Sequence, residues 1–299
     1  MAGRRSLAGL RPELDRLYDG FNVADSAADP VQFVWRYEDP ADREAVAMVA
    51  SALAFGRLAS VLASIERVLA VMGPAPARWL DHLDVEQART GLASIVHRWT
   101  QGDDVTALLM VVAALRRRYG SIEQCFLAHD DPSAPDIAPG LEGLADEACG
   151  VDVSAAYGGG PPRRPGVAYF FPRPSMGSAC KRLNLFLRWM VRHDAVDPGG
   201  WTRVSAARLV IPLDTHTIRV GRCLRLTRYV SPGWRMAADI TATLRRLDAD
   251  DPVRYDFSLC HMSMMGACGW GRKDGNAHCP LKGHCHPPSA AALRRAADR

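Results

Sequence analysis

Apolar residues recur at helical spacing along most of the chain, and little of it alternates as a half-buried strand does. The longest such pattern, Asp42–Met72, has acids at its start (Asp39, Asp42) and Gly73-Pro74 at its end, and predicts one long helix. Val105–Tyr119 predicts a second helix, closed by Arg116, Arg117, Arg118 and Gly120. Shorter helices are expected over Ser121–His129 and Leu141–Cys149. A stretch rich in glycine and proline follows, Gly150–Gly177, and reads as a long loop of the kind that is either functional or mobile. Lys181–Arg192 then carries Leu183, Phe186, Leu187 and Met190 on one face. Leu209–Leu226 reads as a short loop and a helix, and Arg235–Leu247 and Pro252–Met265 as two more helices before a cysteine-rich tail. There is no internal repeat, heptad pattern or convincing set of strands, so the expected class is all-α.

Composition narrows the setting. The chain has 299 residues, 48% of them apolar and 23% charged, which suits a folded globular protein. Its longest apolar runs, such as Ala45–Ala54, fall short of the roughly 20 residues of a membrane span. The N-terminus has no apolar stretch of signal-peptide length, so a cytoplasmic location without a membrane partner is expected. In that compartment eight cysteines suit free thiols or metal ligands better than disulfides.

Charge is unevenly placed. Residues 161–230 carry a net +10 and the rest of the chain −6, within a total of +4. A basic segment on an otherwise acidic chain points to a polyanion, most simply nucleic acid, although arginines scattered over solvated helix faces give the same count. Only three of the 37 basic residues are lysine: Lys181, Lys273 and Lys282. A lysine kept against that bias is a candidate for chemistry that arginine cannot do, such as imine formation, although stray surface lysines are common.

The segment Ile211-Pro212-Leu213-Asp214-Thr215-His216-Thr217-Ile218-Arg219-Val220 is the most informative. Proline restrains the backbone, and Asp-Thr opens an apolar helix. Asp214 reads either as an ordinary N-cap or as a pre-formed carboxylate that stabilises positive charge or acts as a base.

Leu213–Val220 resembles the aspartate segment of the helix-hairpin-helix DNA glycosylases, the superfamily of endonuclease III. The neighbouring segments stand in that superfamily's order. A hairpin-like turn, Pro172–Cys180, precedes the Lys181 helix, and Tyr255–Leu259, Met265–Cys268 and the last cysteines follow the aspartate. The resemblance covers about Tyr169–Cys285, with a weaker match at Ala52–Arg57. The hairpin departs from the usual Leu-Pro-Gly-Val-Gly wording. The 33-residue separation of Lys181 and Asp214 is similar to that of the archaeal 8-oxoguanine glycosylases.

The resemblance implies a monomer of two helical domains flanking a DNA-binding cleft. Residues 1–44 would pack with the C-terminal domain, 45–180 would form a helical domain ending in the hairpin, and 181–299 would carry the aspartate and the tail. It implies a base-excision DNA glycosylase, nucleoid-associated, with lyase activity on double-stranded DNA containing a damaged base, an oxidised base among the candidates. Lys181 would be the amine that attacks the sugar, and Asp214 the carboxylate that stabilises its positive charge. Gly177, Arg173, Arg182 and Lys273 would meet the DNA backbone. The flipped base needs aromatic walls, for which Trp35, Phe55, Trp189 and Trp201 are candidates, each also readable as core. His216 reads as a helix-surface or packing histidine, and Arg219 as a bridge to an acid rather than a DNA contact.

Cys260, Cys268, Cys279 and Cys285 cluster in the last 40 residues and suit a [4Fe–4S] cluster or zinc; a metal-free tail is the third possibility. The last two and Cys268 resemble ligands of the endonuclease III cluster. The remaining ligand would fall near Asn276, so Cys260 or a histidine (His278, His284, His286) would replace it. Cys125, Cys149, Cys180 and Cys223 show no ligand spacing. Two other readings stay open: a non-catalytic DNA-binding protein of the same fold, and an enzyme of this fold that modifies bases without excising them.

Overall fold

A computed structural model describes residues 7–24, 29–161, 166–266 and 279–286. It is predominantly helical, with a single two-stranded hairpin among the described residues. No described helix is long and apolar enough to cross a membrane. The chain divides into two compact units, one of residues 1–24 and 205–299 and the other of residues 25–204. The resemblance implies divisions at 44/45 and 180/181 instead.

The first unit opens with α1 (Leu7–Phe21). The second begins with a 3₁₀ turn, Pro30–Arg36, and α2 (Pro40–Ala52), whose N-terminal amides are capped by Asp39 Oδ1 at 2.8 and 3.1 Å. Helix α3 (Leu58–Met72) follows after a break. The long helix expected over Asp42–Met72 is therefore two. Gly56, at φ +109°, turns the chain between them in a conformation that a side chain resists, and its Cβ would meet Arg98 Nε at 3.3 Å. The break leaves Ala54 and Phe55 outside any helix.

Next come α4 (Pro76–Asp81), α5 (Val85–Leu92) and the hairpin of β1 (Val96–His97) and β2 (Thr100–Gln101), none of them expected from the sequence. His97 pairs with Thr100, so Arg98 and Trp99 form a two-residue turn. Such turns favour glycine or asparagine where φ is positive; here Arg98 takes φ +56°. Helix α6 (Gly102–Tyr119) is held at its start by Asp104, which accepts from the Gln101 amide at 2.8 Å. Helices α7 (Ile122–His129) and α8 (Ala138–Cys149) pack on each other. Buried Glu44 of α2 accepts from the first amides of α7, Ile122 and Glu123, at 2.8 Å each, and from Trp201 Nε1 at 3.0 Å. Burial outweighs these donors and raises its pKa.

The proline-rich stretch contains the one-turn helix α9 (Val167–Phe170). Helix α10 (Lys181–Val191) then buries Leu183, Phe186, Leu187 and Met190, and it packs against α2. Its outer end is locked by an ion network: Arg188 meets Asp197 at 3.1 Å, and Arg192 meets Asp197 and, at 2.7 Å, Asp194. Removing one member of such a buried set costs about 3–5 kcal/mol. This packing and this network join α10 to the second unit and move the boundary beyond residue 181.

The first unit resumes with α11 (Thr215–Cys223), α12 (Trp234–Arg245) and α13 (Asp256–Met264). Helix α13 packs on both α11 and α1, and Tyr255 donates to Asp15 of α1 at 2.7 Å. A 3₁₀ turn, Lys282–His284, lies in the described part of the tail.

Candidate functional site

The second unit gathers an amine and four aromatic or guanidinium planes. Lys181, the first residue of α10, donates from Nζ to the carbonyl of Ala54 at 2.9 Å. The next residue, Phe55, stacks on Trp99 with centroids 5.3 Å apart and planes at 24°. Tyr169 meets both rings edge-on, at 5.3 and 5.4 Å. The Arg182 guanidinium lies 3.6 Å over the Tyr169 ring and 5.4 Å from Phe55, a cation–π arrangement, and also donates to the Tyr169 carbonyl. Burial lowers its pKa. Trp99 is 52% exposed and Phe55 and Tyr169 are half-buried, so the cluster is an open aromatic surface rather than core.

Phe55 is held from beneath. Buried His97 bonds the Phe55 carbonyl through Nε2 at 2.8 Å and Ser64 Oγ through Nδ1 at 2.9 Å. A carbonyl only accepts, so Nε2 carries the proton, and in the neutral ring Nδ1 accepts from the Ser64 hydroxyl. Burial keeps His97 below its ordinary pKa of 6.5. Two of the three described non-glycine residues with positive φ flank this cluster: Arg98 at the hairpin tip, and Cys180 (φ +48°), the residue before Lys181. Such strain costs about 1–3 kcal/mol per residue and concentrates where geometry serves a function.

The turn before α10 is pinned on one side. Arg173 pairs with Asp146 and lies 3.8 Å from Glu142, and the Ser175 amide donates to Glu142 at 2.6 Å. Arg173, read from the sequence as a DNA contact, thus clamps the turn to α8. Arg182, read the same way, lies within the aromatic cluster. Gly177 (φ +78°) is exposed at the turn, beside Met176, which is 80% exposed. The Cys180 thiol donates to the Pro172 carbonyl at 3.3 Å, and burial pushes it up to about 12. Of the four aromatic candidates only Phe55 belongs to this surface. Trp189 and Trp201 are core, and Trp35 donates to the Val196 carbonyl at 2.7 Å. Trp99 and Tyr169 were missed; Trp99 is betrayed in the sequence only by its place in a polar stretch, His97-Arg98-Trp99-Thr100-Gln101.

In the first unit Asp214 is the N-cap of α11. Its Oδ1 accepts from the amides of His216 and Thr217 at 2.8 and 2.7 Å. Its Oδ2 accepts from the Cys260 thiol of α13 at 3.3 Å. His216 Nδ1 lies 3.1 Å from Ser263 Oγ, and Thr217 donates to Asp256 at 3.5 Å, so α11 and α13 are tied along the faces near the carboxylate. Arg219 is exposed on α11.

The same unit collects thiols at the other end of α11. The Cys285 thiol donates to the Leu281 carbonyl at 3.1 Å, and the neighbouring Cys223 and Cys279 thiols raise its pKa. Cys279 is lowered to about 7, chiefly by the Cys285 thiol, with help from the Leu281 amide. Cys260, expected as a ligand beside Cys279 and Cys285, instead faces Asp214; the thiol that joins the two tail cysteines is Cys223. Cys268 and Lys273 lie outside the described residues.

A protein-family model described as "Protein of unknown function (DUF2400)" matches residues 29–265, which include Lys181, Asp214, Cys223 and Cys260 and stop before the tail cysteines. No curated protein and no solved structure matches the chain.

Proposed function

The chain belongs to the DUF2400 family, and we propose that it is a DNA glycosylase with lyase activity, excising a damaged base from double-stranded DNA. The observation that carries this reading is the placing of Lys181 beside the open Phe55–Trp99–Tyr169 surface. A base whose glycosidic bond is to be cut must leave the duplex stack, and aromatic faces recover the stacking it loses. An amine next to such a surface is in position to attack the sugar of the extruded nucleotide.

The reaction balances without an outside oxidant. Unprotonated Lys181 Nζ attacks C1′, the C1′–N bond breaks, and the base leaves with the bonding pair and takes up a proton. Opening of the sugar ring yields an imine between Nζ and C1′. Loss of a C2′ proton then expels the 3′ phosphate, and water hydrolyses the imine to return the amine. The carbonyl of Ala54 orients Nζ before attack. Asp214 takes the role that the sequence resemblance implies, opposing the positive charge that develops on the sugar as the base departs. Its carboxylate is fixed in advance by two backbone amides and a thiol, so little reorganisation is needed.

A second reading has its own support, because Lys181 and Asp214 each hold a structural place, one on a carbonyl and the other at a helix start. In that reading the chain binds DNA without reacting. Borohydride trapping separates the two. Full-length protein is incubated with duplexes carrying 8-oxoguanine, an oxidised pyrimidine or an abasic site, with and without reductant. The expected result is a covalent adduct with at least one duplex, lost in Lys181→Arg, which keeps a donor for the Ala54 carbonyl but forms no imine. An adduct that persists in Lys181→Arg, or duplex binding with neither adduct nor base release, overturns the proposal.

A further inference from the structure

We propose that the solvent face of α11 is a docking surface for the phosphate backbone of duplex DNA, held by Arg219, Arg222 and Arg225. It rests on the reading above only in taking duplex DNA as the partner, and it does not require base excision.

Residues 215–238 carry five arginines and no acid. Helix α11 buries Thr217, Val220, Gly221 and Cys223 and packs on α13. Arg219 and Arg222 stand on its opposite, exposed face. Three residues apart, they are neighbours on the helix surface, about 4.5 Å apart along its axis. Arg225 continues the row just beyond the last turn and is also exposed. The bridge to an acid expected of Arg219 does not form: among the described residues none of the three arginines makes an ion pair. The next acid along the chain, Asp239, is engaged elsewhere. Its Oδ2 accepts from Thr227 Oγ1 at 2.8 Å and from the Arg228 amide at 2.9 Å.

The ordinary structural task of such arginines is already filled. Cations near a helix C-terminus commonly satisfy its last carbonyls. Here the carbonyls of Gly221, Arg222 and Cys223 accept from the amides of Leu226, Arg225 and His286, at 2.8, 3.1 and 2.7 Å. The helix end is thus closed by backbone, in the arrangement that normally places glycine at its left-handed position. Arg225 holds that position, at φ +55°, and is the third described non-glycine residue with positive φ. Glycine adopts this conformation without strain. A long cationic side chain kept there, exposed and without an acid among the described residues, supports a role outside the fold.

The chemistry of the row fits a phosphate backbone. A guanidinium offers parallel N–H donors to phosphate oxygens and forms bidentate, charge-assisted bonds. Phosphates of one strand advance about 3.4 Å each along the duplex axis, so the row spans about three of them. Such contacts fix where a duplex lies without reading its sequence. Arg219 follows Asp214 by five residues, about 7.5 Å along the helix axis, so a strand held by the row runs past that carboxylate.

The test is titration of full-length protein into a short labelled duplex without damage, at several salt concentrations, read by fluorescence anisotropy. Arg219→Gln, Arg222→Gln and Arg225→Gln should each weaken binding about 5- to 10-fold at about 0.1 M salt. Each should also reduce the slope of log Kd against log salt by about 1, and the triple variant by about 3. Arg225→Gly should melt at a higher temperature than wild type, because strain is relieved, yet bind as weakly as Arg225→Gln. An arginine kept for stability would lower the melting temperature instead. Wild-type affinity and salt slope in the triple variant, or undiminished binding by Arg225→Gly, overturns the proposal. So does a wild type that binds no duplex. Tighter binding to phosphatidylserine vesicles than to duplex, lost in the same variants, also overturns it and assigns the row to a lipid surface. The duplex carries no damaged base, so a chain that binds it through these arginines but gives no borohydride adduct keeps this surface and loses the reaction.

Discussion

Lys181 places its Nζ 2.9 Å from the carbonyl oxygen of Ala54, the residue directly before Phe55, and so ties the start of α10 to the break between α2 and α3. A charge-assisted bond of this kind, half-buried, contributes about 1–2 kcal/mol. Lys181→Ala should lose that amount in urea unfolding, and Lys181→Arg less, because a guanidinium also donates. Both should abolish borohydride trapping. The stability loss and the trapping loss therefore diverge in the arginine variant, which a purely structural lysine would not produce.

Trp99 stacks on Phe55 from the tip of a strained hairpin, and half of it meets solvent. Replacing it with alanine should change stability little and weaken binding of a lesion-bearing duplex. Stacking of one base on an aromatic side chain is worth about 1–3 kcal/mol, or about 5- to 150-fold in Kd. Fluorescence anisotropy with a labelled abasic-site duplex measures the change. Trp99→Phe should recover most of the affinity. Equal binding by wild type and Trp99→Ala would remove this surface from the DNA-contacting face.

The class and most of the helices were legible in the sequence because apolar spacing reports directly on which face a helix buries. The break between α2 and α3 was not. Leu53-Ala54-Phe55 continues the apolar run, and the turn depends on Gly56 alone. The hairpin was equally hidden, since its turn is Arg98-Trp99 and carries no turn-forming residue. Those two omissions concealed the aromatic surface, because Phe55 and Trp99 meet only once the chain is broken at one place and reversed at the other. Asp214, by contrast, announced itself: proline, acid and threonine before an apolar helix specify an N-cap by local chemistry alone.

His97 couples the aromatic surface to pH. Its folded-state pKa lies below the 6.5 of the free side chain because it is buried. The unfolded chain therefore takes up a proton first as pH falls. The stabilisation from neutral His97 is complete above about pH 6.5 and declines below it, down to the folded-state pKa. His97→Gln presents an amide to the Phe55 carbonyl and an oxygen to Ser64 without titrating. Melting temperatures at pH 7.5 and 5.5 should fall more for wild type than for the variant. The same fall in both would assign the acid sensitivity to other groups.

Asp214 offers the sharpest separation of structure from chemistry in the first unit. As an N-cap it accepts two amides on one oxygen, and asparagine caps helices about as well as aspartate does. Asp214→Asn should therefore keep the melting temperature close to wild type, whereas Asp214→Ala should cost about 1 kcal/mol. The negative charge is what asparagine lacks. If that charge opposes a developing sugar cation, Asp214→Asn should slow base release by about 10²- to 10³-fold, the cost of removing one stabilising group from a reaction centre. Single-turnover base release from the duplex that traps Lys181 is the measurement. A slow but well-folded Asp214→Asn assigns the carboxylate to the reaction. An Asp214→Asn as fast as wild type reduces Asp214 to a cap, and departure of the base is then assigned to attack by the Lys181 amine.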